Sequence, residues 1–65
     1  MTTQVAVAIS LLTVKETAEM LRMSEASLRW HLHTGAAPKS ALVAGRRMFR
    51  LSDVEAFIQE AFDAE

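Results

Sequence analysis

A mainly α fold with one small β-hairpin is predicted by three observations. Two capping boxes each open an amphipathic segment, at Thr13 and at Ser52. A good N-cap, Ser24, stands only a residue or two past the end of the first segment. A short stretch of strand-like residues folds about Gly45. The chain has 65 residues, no cysteine and 51% hydrophobic residues. A domain near this size buries only about 60% of the surface its unfolded chain exposes, so one thin domain is expected. Disulfides are excluded as reinforcement, and the composition is too apolar for a disordered chain. No apolar run approaches the ~20 residues a membrane span needs, and the start Met1-Thr2-Thr3-Gln4 lacks the basic flank of a secretory signal. With its initial Met and all its punctuation, the chain reads as a complete small cytoplasmic protein. A deep pocket is hard to build at this length, so no enzyme is expected.

Thr13-Val14-Lys15-Glu16 matches a capping box, with Glu16 three residues after Thr13. The helix it opens runs to about Arg22 and carries Val14, Ala18 and Leu21 as one apolar stripe, with Lys15, Glu19 and Arg22 on the polar side. Ser24 caps a second helix from Glu25 to about His33. Gly35 ends it, and Pro38 prevents its continuing. Two helices separated so narrowly are the signature of a helix-turn-helix. Lys39 to Val43 and Arg46 to Leu51 then read as a hairpin with Gly45 in its turn, Phe49 and Leu51 packing inward. Ser52-Asp53-Val54-Glu55 is the second capping box. Val54, Phe57, Ile58, Ala61 and Phe62 behind it form the strongest apolar face of the chain. The order predicts a winged helix-turn-helix over residues 12–65: helix, turn, helix, hairpin wing, C-terminal helix. Residues 1–11 form an N-terminal extension in which Val5, Val7 and Ile9 alternate with small residues, a weak strand signal.

The formal net charge of −1 conceals segregation. Lys15, Glu16 and Glu19 leave −1 before Arg22. Arg22, Arg29, Lys39, Arg46, Arg47 and Arg50 against Glu25 leave +5 up to Arg50. Asp53, Glu55, Glu60, Asp63 and Glu65 leave −5 after it. Such asymmetry fits an anion-binding face backed by an acidic one, although two solvated faces would give the same tally.

The second helix is the informative one. Leu28 and Leu32 face the core, joined by Met23, while Ala26, Arg29, Trp30 and His33 share another face. The second helix of a helix-turn-helix lies in the DNA major groove, where Arg29 is placed to take guanine bidentately. Glu25 and Ser27 reach a base or phosphate near the helix start, and His33 lies further along the same helix. Arg46 and Arg47 at the hairpin tip suit phosphate or a narrow minor groove, with Lys39 and Arg50 in support. Charged strands also discourage edge pairing, which is the plainer account of the same arginines. Trp30, off the core stripe, packs under the hairpin, contacts a second protomer or lies against DNA sugar and phosphate, the first two being favoured for an aromatic surface residue.

His31 and His33 do not make a metal site, because residues two apart on a helix point about 200° away from each other. No Cys or acid completes one, so no metal or cofactor is expected, and His31 is read as a packed histidine. Ser24 and Ser52 serve as caps, and nothing supplies a catalytic triad.

Leu12 to Leu21, Ser24 to Leu28, Gly35 with Pro38-Lys39, Gly45-Arg46-Arg47, and Phe49 to Phe57 together carry a resemblance. In order and spacing the chain resembles the excisionase/AlpA-like small winged helix-turn-helix proteins, relatives of the MerR DNA-binding domain. Two positions depart from that pattern: Arg22 where glycine is common, and His31 where a large aromatic is common. The resemblance implies double-stranded DNA as the partner, bound through the second helix and the wing. Many phage members look like recombination directionality factors, which bend attachment-site DNA and bias an integrase toward excision in the bacterial host cell. Others are small transcription regulators.

A single module buries only about 600–1,000 Å² on DNA, so cooperative copies are expected. Self-association by strand addition through Val5, Val7 and Ile9, head to tail, would supply them. A protein-interaction module acting through the acidic C-terminal helix is the alternative of a different class.

Overall fold

The computed structural model describes residues 9–65. Its order is β1 (Leu11–Thr13), α1 (Val14–Met20), α2 (Glu25–Thr34), β2 (Ser40–Val43), β3 (Arg46–Arg50) and α3 (Leu51–Asp63). The winged helix-turn-helix that the sequence predicts is the architecture observed: three helices with a hairpin wing, the hairpin belonging to a small antiparallel sheet.

The first two helices begin as their local sequences dictate. Thr13 Oγ1 accepts from the Glu16 amide at 3.1 Å, and the Thr13 amide donates to Glu16 Oε1 at 2.9 Å, so both halves of the capping box are made. Ser24 Oγ accepts from the Ser27 amide at 3.1 Å. Both helices also end alike. The Met23 amide donates to the Ala18 carbonyl at 2.9 Å and the Arg22 amide to the Glu19 carbonyl at 3.1 Å. One helix later, the Ala36 amide donates to His31 at 2.9 Å and the Gly35 amide to Leu32 at 3.4 Å. These are two Schellman closures, each requiring a left-handed residue, Gly35 at φ 82° and Arg22 at φ 63°.

Glycine takes that conformation without strain, whereas a side chain there costs about 1 kcal/mol or more. Arg22→Gly is therefore expected to stabilise the domain by roughly 0.5–1 kcal/mol, once glycine's extra unfolded-state entropy is set against the relieved strain. A rise in the urea midpoint at unchanged slope checks it.

The sheet has three strands where the sequence predicts two. Its order is β1-β3-β2, all antiparallel, so β3 is central, with Phe49 opposite Leu12 on one side and Ser40 on the other. The Leu51 amide extends the ladder to the Ser10 carbonyl at 2.9 Å. Ala44 at φ 52° and Gly45 at φ 81° close the wing in a two-residue turn, both in the positive-φ region that matches strand twist.

The core is Val14, Ala18, Leu28, Phe49 and Val54, with Leu12, Leu21, Met23, Leu32 and Ile58 packed around it. Thr17 is buried with them, and its hydroxyl has no partner among the described residues.

Three expectations are corrected. α3 opens at Leu51 with Arg50 as its N-cap and no side-chain cap, so the Ser52 box is not formed. Because the Leu51 amide is still held by the strand ladder, the chain passes directly from β3 into the helix. Ser52 is by then already helical, and an N-cap must not be. Leu51, expected at the strand end, is accordingly a half-buried helical residue. Finally, the apolar face of α3 is only partly used. Val54 is buried and Ile58 packs on the core, but Phe62 is 74% exposed because the last turns overhang the body of the domain.

The expected N-terminal strand falls mostly outside the described residues, which exclude Val5 and Val7. Ile9 is described, belongs to no strand and is 62% exposed. The strand that does form begins two residues later, at Leu11, and pairs within the chain.

Candidate nucleic-acid interface

α2 is anchored by Leu28, which is fully buried, and by Leu32. At about 100° per residue, Arg29 emerges on the flank and Trp30 about 200° from Leu28, facing directly away from the core. Ala26 and His33 are exposed on that same outer face. This is the presentation a major-groove helix needs: the inner stripe fixes its orientation and the outer face is free.

Beside the Arg29 flank, α2, the first turn of α1 and the wing enclose a polar groove of about 550 Å³. Lys15, Arg29, Arg46 and Arg47 line it, with Glu25 as its one carboxylate. Glu25 Oε2 lies 3.4 Å from Arg29 Nη2, an exposed pair one helical turn apart. Such pairs contribute little to stability, but this one holds the guanidinium along the helix and toward the groove. Arg47 Nη1 donates to Ser40 Oγ at 3.2 Å, steadying it across the two strands. Among the described residues Lys15 and Arg46 have no ion-pair partner, which leaves their charge available to an incoming anion.

The residues singled out in the sequence are thus divided. Glu25, Arg29, Arg46 and Arg47 converge on one groove. Ser27 is half-buried on the opposite side of α2, and its amide is taken by the Ser24 cap. His33 is exposed near the end of α2, its ring 6.2 Å from that of Trp30. Lys39 and Arg50 line a different depression, an apolar one of about 360 Å³ on the outer face of the sheet with Ile9, Leu11 and Met48. There Arg50 Nε pairs with Asp53 Oδ2 at 2.7 Å.

Lys15 is the groove residue that sequence reasoning missed. It reads as one more polar position of α1, and only the packing of that helix start against α2 and the wing brings it among the arginines. Trp30 does not pack under the hairpin: it is 62% exposed, and its aromatic neighbour is His33. Among the described residues no helix is long and apolar enough to cross a membrane, and no three His, Asp or Glu gather to hold a metal ion.

The model of a helix-turn-helix domain family matches residues 11–61, which span β1 through nearly all of α3. No curated protein and no solved structure matches the chain.

Proposed function

The chain belongs to the helix-turn-helix domain family and is a small DNA-binding protein, and on that premise we propose that it is an excisionase. In this reading it binds attachment-site DNA, bends it and directs an integrase toward excision. α2 lies in the major groove with Arg29 on a guanine, and Arg46 and Arg47 hold the wing on the backbone. The observation that carries the DNA geometry is the groove where Lys15 and those three arginines meet beside the outer face of α2. It joins the base-reading helix and the wing into one continuous cationic track.

Size and resemblance support the recombination role. One module of this size gives weak, salt-sensitive binding, which suits an architectural protein acting in several copies. Self-association through the N-terminal segment is part of the proposal. The overhanging end of α3, with Phe62 exposed beside Glu60 and Asp63, favours a protein contact there, and an integrase is the partner proposed. A transcription regulator of the same fold is the second reading.

The test is fluorescence anisotropy at two salt concentrations on attachment-site and scrambled duplexes of equal length, followed by a bending assay and integrase-dependent excision. Steep, sequence-preferring binding with stimulated excision is expected. Binding and repression without any effect on excision would favour the regulator. Arg29→Ala is expected to cost about 1–3 kcal/mol of discrimination between the two duplexes. Equal weakening on both would remove Arg29 as a base reader.

A further inference from the structure

Trp30 is the largest side chain in the sequence and stands outside the core, 62% exposed. Its position is dictated by α2: two residues after fully buried Leu28, it occupies the pole of the helix opposite the core. Ala26, one turn earlier on the same face, is exposed and small, and so leaves the N-terminal side of the indole open among the described residues. On the other side the His33 ring lies 6.2 Å away at 33°, a tilted contact that backs the indole without covering it. Arg29, the adjacent residue, opens onto the cationic groove. The surface that covers Trp30 is therefore continuous with the one that meets Arg29.

An indole has no charge for a phosphate and only one N–H to donate. Its large apolar area gains most when it is buried against another apolar group. The major groove offers one such group, the thymine C5-methyl, and only at A·T pairs. Resting on the DNA reading above, we infer that Trp30 is a specificity-determining residue that reads a thymine methyl in the major groove. Arg29 and Trp30 then divide the recognition between them, hydrogen bonds at guanine and apolar contact at thymine.

The chain contains a single tryptophan, so its emission reports this position alone. The experiment uses the full chain and a duplex that it selects from a random-sequence pool, with occupancy followed separately by anisotropy of the labelled duplex. At saturation the emission of Trp30 is expected to change and to become shielded from acrylamide. Replacing each thymine in turn by deoxyuridine is expected to find one position where the missing methyl weakens binding about fourfold. In Trp30→Ala that sensitivity disappears, so that thymine and deoxyuridine at that position bind alike, and the exposure of the site leaves folding intact.

Unchanged emission and acrylamide access at full occupancy would overturn the inference, as would a thymine sensitivity that survives in Trp30→Ala. An emission shift that follows protein concentration without DNA would place Trp30 in a contact between copies and overturn it too. Failure of the DNA reading itself has a different signature, an anisotropy that rises on no duplex.

Discussion

Phe49→Ala is expected to leave the domain largely unfolded at room temperature. Phe49 is fully buried at the centre of the middle strand, opposite Leu12 and Ser40, and its cluster includes Val14, Ala18, Leu28 and Val54. Truncating a core phenylalanine costs about 3–5 kcal/mol, from lost transfer energy and from the cavity left behind. At roughly 0.05–0.15 kcal/mol per residue, a chain of this length has only about 3–10 kcal/mol in all. The loss is thus comparable with the whole, and neither a disulfide nor a metal cluster among the described residues offsets it. Far-UV circular dichroism against urea measures this directly. Phe62→Ala is the matched control: the same truncation at a side chain 74% exposed is expected to change stability by no more than about 0.5 kcal/mol. If the two substitutions cost the same, the assignment of core and overhang is wrong.

That contrast also shows where sequence reasoning reaches its limit. Thr13, Ser24 and Gly35 set helix ends through bonds spanning a few residues, and their residue types announce those bonds. Val54 and Ile58 were legible for the same reason, since helical periodicity places them on one stripe. Phe62 lies on that stripe as well, yet periodicity cannot say where the rest of the domain stops. The strand at Leu11–Thr13 was hidden because it is three residues long and does not alternate. It exists because β3 has a free edge beside it, a partner 35 or more residues away in the chain. The alternating run at Val5 to Ile9 drew attention upstream instead. The Ser52 box failed for a related reason: α3 opens at Leu51, whose amide is held by the distant Ser10 carbonyl, so Ser52 is already helical.

The candidate site was legible in composition and not in grouping. Charge segregation identified the basic half of the chain, and the helix-turn-helix spacing identified α2 as the reading helix. Of the six cations between Arg22 and Arg50 the sequence singles out Arg29, Arg46 and Arg47, with Lys39 and Arg50 in support, but not which of them share one groove. The wing's position separates them, since alternation alone puts Arg46 on the face of Met48 and Arg50. Arg46 and Arg47 turn toward α2, while Lys39 and Arg50 lie by the sheet's outer depression. Lys15, from outside that basic half, completes the groove.

This separation makes a quantitative expectation for the wing. The double variant Arg46→Ala/Arg47→Ala is expected to weaken binding to every duplex alike, by about 10²-fold at low salt, as two charge-assisted contacts are lost. Each phosphate contact removed takes about 0.9 from the magnitude of the slope of log Kobs against log salt, so the slope should fall by about 1.8. Both side chains are exposed, so the fold is expected to survive. Arg46 has no ion-pair partner among the described residues, and Arg47 is held only by the Ser40 hydroxyl, so neither loss is cushioned by a freed carboxylate. Lys39→Ala/Arg50→Ala removes the same charge from the other side of the sheet, where Arg50 is already neutralised by Asp53 at 2.7 Å. It is expected to change the slope by less than half as much. Equal slopes for the two double variants would show that charge count alone governs binding, and DNA would then not be seated between α2 and the wing.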